Sequence, residues 1–131
     1  MTPIAIASVL AFNLICSGQE ISGAKDIGPK QETYSSIYRV DLGSQKWCEG
    51  DCERQRNIFL VTDYEITLTD EYEVERNGSD ERKVETIDRT NGRHTLDYAS
   101  HSPLIGEFTF KRVGACHKSE FTGFPAPKQK F

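Results

Sequence analysis

The sequence predicts an all-β fold, a small antiparallel barrel or two-sheet sandwich of about eight to ten short strands. Three observations carry this expectation. Short runs of alternating apolar and polar residues, broken by turn residues, recur along most of the chain. No segment of useful length shows the helical period. Four cysteines, an even number, suit a disulfide-stapled framework.

Taken in order, Phe12 to Cys16 reads as the first strand, and the polar, glycine-containing stretch Ser17 to Glu32 as a loop. Thr33 to Leu42 is a strand with Tyr38, Val40 and Leu42 on one face and Arg39 and Asp41 on the other. Gly43-Ser44 turns the chain into Lys46-Trp47-Cys48. Ile58 to Thr62 and Tyr64 to Thr69 follow as strands; in the second, Tyr64, Ile66 and Leu68 alternate with Glu65, Thr67 and Thr69. Glu71 to Arg76 and Arg82 to Arg89 flank Asn77-Gly78-Ser79-Asp80, a strong hairpin signal. Asn91-Gly92 sets off a second hairpin between Val84–Arg89 and His94–Tyr98. Ile105 to Val113 carries Phe108 and Phe110 on one face, and Gly114 to Glu120 continues it. The Pro/Gly-rich tail from Phe121 to Pro127 reads as draped over the body, anchored by Phe121 and Phe124. At 131 residues the chain suits one domain, residues 12–131, and not two.

Residues 1–11 read as the remnant of an export signal. Pro3 to Phe12 is apolar or small throughout, as in a signal-peptide core, and too short to span a bilayer as a helix. Val9-Leu10-Ala11 fits a cleavage site. No Lys or Arg precedes the apolar run, so the start is expected upstream of Met1. Ile15 before Cys16 argues against a lipid anchor there. A periplasmic or secreted, monomeric protein without a stable membrane span is the expectation.

An exported compartment permits disulfides. Four cysteines allow three pairings. Cys48–Cys52, a clasp around Glu49-Gly50-Asp51, with Cys16–Cys116, a bridge from first strand to last, fits the geometric limits best. Zinc held by Cys48, Cys52, Cys116 and His117 is disfavoured. The spacing lacks a paired knuckle, and neighbours on a strand face opposite ways. No helix-opening CxxC redox motif is present.

No catalytic set or cofactor motif stands out. The three histidines are His94, His101 and His117, and no Gly-x-Ser-x-Gly elbow occurs. Ser100-His101-Ser102 before Pro103 reads as a loop. The acidic pairs Asp70-Glu71, Glu73 with Glu75, and Asp80-Glu81 read as solvated surface without EF-hand spacing. Asn77-Gly78-Ser79 matches a glycosylation sequon, and the turn explains the same residues. Trp47, the sole tryptophan, is read first as a packing residue and second as a contact for a ligand or partner.

The net charge of −4 argues against a nucleic-acid binder. Charge is uneven: Asp51 to Arg89 holds 12 acids and 6 bases, whereas Thr90 to Phe131 holds 3 acids and 6 bases. The acidic middle is a solvated surface or a face for a cationic partner.

Several pieces together resemble a group of small exported proteins of Gram-negative proteobacteria. They are Phe12-Asn13-Leu14-Ile15-Cys16-Ser17-Gly18, Tyr38-Arg39-Val40-Asp41-Leu42, Lys46-Trp47-Cys48-Glu49-Gly50-Asp51-Cys52 and Ile87-Asp88-Arg89-Thr90-Asn91-Gly92. Gly114-Ala115-Cys116, Phe121-Thr122-Gly123-Phe124-Pro125 and Lys130-Phe131 complete the pattern. The resemblance implies a cleaved leader, a mature start just before Phe12, and Cys16 within the mature domain. It implies no activity. The expectation is a non-catalytic binding or interaction protein of the envelope, taking an unknown protein or small ligand. An inhibitor of a cationic, lysozyme-like hydrolase is a variant. A small hydrolase using scattered Asp, Glu or His, or a purely structural envelope protein, are the alternatives.

Overall fold

The two edges of the sheet belong to consecutive stretches of chain, and this decides the shape. The computed structural model describes residues 10–24, 26–52 and 54–125. Residues 1–9 of the leader read at 1–11 and the chain end at 126–131 lie outside them. Nine strands are formed: β1 (Ala11–Ala24), β2 (Ile27–Asp41), β3 (Lys46–Glu49), β4 (Arg56–Asn57), β5 (Leu60–Val61), β6 (Glu65–Val74), β7 (Asp80–Asp88), β8 (Arg93–Ser102) and β9 (Gly106–Ser119). They make one antiparallel sheet in the order β4-β3-β2-β1-β9-β8-β7-β6-β5. The sheet curls into a half-barrel. Of the two architectures expected, this is the barrel-like one.

β4 and β5 sit at opposite edges of the sheet, yet only Ile58 and Phe59 separate them. The Ile58 amide donates to the Gln45 carbonyl (3.0 Å), and the Phe59 amide to the Thr67 carbonyl (3.0 Å). One bent segment thus bonds to the β3 side with its start and to β6 with its end. The sequence predicts a single strand over Ile58–Thr62. Instead the chain turns inward at Ile58, which is buried, to join the two edges.

Away from this seam the half-barrel is open. β2 from Ile27 to Ser36 and β6 from Asp70 to Val74 have a strand partner on one side only, among the described residues. Charges on these edges, including Lys30, Glu32, Glu71 and Glu73, discourage further strand pairing. Ser17 to Glu32, read as a loop, completes β1 and starts β2. Both faces of the sheet are largely wet there, so the period-two signal is lost; Ile21 and Ile27 are exposed.

The core lies on the concave face near the seam. It comprises Phe12, Leu14 and Cys16 of β1, Tyr34, Tyr38 and Val40 of β2, Trp47, Ile58, Ile66 and Leu68, and Ile87. Each fully buried aliphatic side chain contributes about 1.5–3 kcal/mol. Tyr64 to Arg76, read as two strands, is the single β6 with its irregularity at Leu68. The extra residue there lets Thr67, Leu68 and Thr69 all be buried.

The two predicted hairpins form. In the Asn91-Gly92 turn, Gly92 has φ of 77°, and a Cβ on it would sit 2.4 Å from the Cys116 carbonyl oxygen. Glycine is required there on both counts. Cys16 and Cys116 are register partners on β1 and β9 and form one disulfide; Cys48 and Cys52 form the other. Both pairings are those expected, and no cysteine is free. Thr122 of the tail is bonded to Asn13 of β1 and Arg39 of β2, and Phe121 and Phe124 pack edge to face at 5.4 Å.

Candidate functional site

Beyond the apolar core, the concave face becomes polar in register. Tyr34, Gly18, Gly114 and His94 form one row across β2, β1, β9 and β8. The Tyr34 side chain extends over both glycines and meets His94 Nδ1 at 2.8 Å. His94 Nε2 lies 2.7 Å from Glu85 Oε2, and the Tyr38 hydroxyl donates to the same oxygen at 2.6 Å. Tyr38, Glu85 and His94 are fully buried. Donors and acceptors match if Tyr34 donates to Nδ1 and Nε2–H donates to Glu85.

Arg112 of β9 links this buried set to a second one. Its guanidinium donates to the Tyr38 hydroxyl (3.1 Å), to Glu49 (2.8 Å) and to Glu20 (2.7 Å). Ser36 also donates to Glu49, at 2.7 Å. Burial acts to raise the Glu49 pKa, but the hydrogen bonds from Arg112 and Ser36 and the Arg112 charge outweigh it and hold the carboxyl below its ordinary range. Burial opposes the Arg112 charge, and its bonds to Glu49 and Glu20 more than offset that, strengthening its hold on the proton. Burial, then the charges of Glu85 and Glu49, push the Tyr38 phenol far up and keep it a donor. Burial also raises Tyr34, against the Arg112 charge.

Glu49 of this network also lines a cleft of ≈ 550 Å³, together with Trp47, Asp51, Cys52, Arg54, Arg56 and Lys83. Trp47 belongs to β3 and Lys83 to β7, toward opposite edges of the sheet, yet both line this cleft. Arg54 comes from the β3–β4 loop and Arg56 from β4. The loop is clasped by Cys48–Cys52, and Arg39 steadies it by donating to the Gly50 carbonyl at 3.0 Å. Trp47 is only 3 % exposed and stacks on Tyr38, ring centroids 5.9 Å apart. Its indole Nε1–H is the one buried side-chain donor or acceptor without a partner among the described residues.

Sequence reasoning singled out Trp47, and it borders the cleft. It missed Glu49, Arg54, Arg56 and Lys83 around it, and Glu85 and Arg112 in the network that holds Glu49. Lys83, Glu85 and Ile87 alternate on one face of β7, and that spacing was the available signal. The acidic residues noted in sequence stay apart from the cleft, on β6, β7 and the turn between them.

The histidines are dispersed. His94 is buried with both ring nitrogens engaged, so no substrate reaches it. His101 is exposed on β8 between its register partners Asp80 and Glu107, beside a surface cleft of ≈ 400 Å³. Ser100-His101-Ser102, read as a loop, ends β8, so both serines point to the face opposite His101. His117 is exposed. His94 also approaches Cys16 and Cys116, with potential ligand atoms within 4.8 Å, but both sulfurs are bound in the disulfide and offer no thiolate. No described helix is long and apolar enough to cross a membrane.

Fold and site together define a disulfide-bridged antiparallel β half-barrel with a charged concave cleft. No protein-family model matches the chain, and no curated protein or solved structure does either.

Proposed function

We propose that this protein is an exported, non-catalytic binding protein whose site is the concave cleft beside Trp47. One observation carries the proposal: Arg54, Arg56 and Lys83 converge on an open cleft beside Trp47 without ion-pair partners among the described residues. Concave sites with few convergent polar groups are the usual form of small-ligand sites. Export is supported by the two disulfides, which persist in oxidising compartments. The burial of His94 speaks against a hydrolase built on it.

The test is a small-molecule screen on uniformly labelled protein, read at the single indole N–H signal of Trp47. Hits that move that signal and those of Lys83 support the cleft. A screen whose hits all map elsewhere, or that gives none, removes it.

A second reading rests on the turn end of the β6–β7 hairpin. There Asp70, Glu71, Glu73, Glu75, Asp80 and Glu81 outnumber Arg76 and Arg82. Such a face suits a cationic partner such as a lysozyme-like hydrolase. Salt-sensitive binding to lysozyme, lost on neutralising Glu71, Glu73 and Glu75, is the expected result; no binding at low salt rejects it.

A further inference from the structure

Resting on the cleft proposed above, we infer that its ligand is recognised through an oxyanion: a carboxylate, sulfate or phosphate group held by Arg54, Arg56 and Lys83. The chain as a whole is acidic, with a net charge of −4, so cations gathered at this concave cleft run against the overall balance. They come from separate places, the β3–β4 loop, β4 and β7, and meet only because the sheet curls.

Among the described lining residues the acids do not cancel them. Glu49 is already taken by Arg112 and Ser36, which leaves Asp51 against three cations. None of the three makes an ion pair among the described residues. A concave, low-dielectric wall with an excess of one sign of charge focuses its field into the hollow. Arginine supplies a planar fork of donors that matches an oxyanion, and lysine adds a point charge.

Trp47 gives an independent pointer. A buried donor without an acceptor is costly, and here it belongs to the residue on the cleft wall. An oxygen acceptor brought in by a ligand would relieve it.

The test uses the oxidised protein, titrated separately with sodium sulfate, inorganic phosphate and acetate, against sodium chloride at matched ionic strength. A neutral arm adds free indole and a neutral monosaccharide. Chemical shifts of the Trp47 indole and of the Arg54 and Arg56 Nε–H groups are followed. Expected is a saturable shift with at least one oxyanion, weakened about tenfold or more in R54Q, R56Q and K83Q; which anion acts separates carboxylate from sulfate or phosphate. Arg54 and Arg56 are exposed, so their variants leave the core untouched, and the dispersion of the spectrum confirms folding. Oxyanions that act no differently from chloride overturn the inference. If a neutral probe still moves Trp47 in that case, the cleft stands as a binding site without anion recognition. If no probe moves it, cleft and inference fall together.

Discussion

Tyr34 and His94 join hands across two glycines. The Tyr34 hydroxyl lies 2.8 Å from His94 Nδ1 and passes over Gly18 and Gly114, the residues between them in register. A Cβ on Gly114 would sit 2.2 Å from the Tyr34 hydroxyl and 2.2 Å from the Ser17 carbonyl oxygen. The absence of side chains on the middle strands is what lets a tyrosine on β2 reach a histidine on β8.

Gly114→Ala is therefore expected to be far worse than an ordinary surface change. Backbone and tyrosine must both move, so a loss of about 2–4 kcal/mol is expected in urea denaturation. Tyr34→Phe removes only the hydroxyl and leaves His94 Nδ1 without its partner, for about 1–3 kcal/mol. A Gly114→Ala protein as stable as the parent would mean that the tyrosine does not cross there.

Glu85 holds the centre of the same network, accepting from Tyr38 and His94. Glu85→Ala leaves two buried donors without an acceptor and is expected to cost about 3–5 kcal/mol. Tyr38→Phe in that background should cost much less than in the parent, because the hydroxyl has already lost its acceptor. Additive losses in this double-mutant cycle would show that the two groups are not coupled.

What the sequence revealed follows the wetness of each strand. Tyr38 with Val40, and Ile66 with Leu68, face a core on one side, so their strands were legible. The distal parts of β1 and β2 are wet on both faces, and there the same backbone geometry looked like a loop. Glu85 read as one more solvated acid, although it shares a face with Ile87 and Lys83. Trp47 stood out by being unique. Its neighbours Arg54, Arg56 and Lys83 did not, because their proximity depends on the bent segment that joins the sheet edges, a long-range event that no local pattern encodes.

Glu49 makes the stability depend on acid. Its pKa is lowered in the fold, so its ionised form is favoured there relative to the unfolded chain. That contribution is fully present above the ordinary glutamate value of about 4.3 and is lost as pH falls through the lowered folded value. Glu49→Gln is expected to cost about 1–2 kcal/mol at pH 7, since the site is partly solvated. The gap between parent and variant should narrow as pH falls below the ordinary glutamate value and through the lowered folded one. A gap that stays constant with pH would show that Glu49 acts through packing instead of charge.

The two disulfides should differ in worth. Cys16–Cys116 spans 100 residues of sequence and ties β1 to β9, whereas Cys48–Cys52 closes a loop only 4 residues apart. Loop-closure entropy alone gives about 4.7 kcal/mol for the long bridge and about 2 kcal/mol for the short one. Replacing Cys16 and Cys116 together by Ala also opens a void beside His94, so that pair is expected to unfold at a much lower urea concentration. Replacing Cys48 and Cys52 by Ala should leave the sheet intact and loosen the β3–β4 loop. Its readout is a broadened Trp47 indole signal with little change in the urea midpoint beyond the entropic share. If instead the short bridge proved the costlier to lose, the clasp would be carrying the fold, and the joined edge at Arg56–Val61 would depend on it.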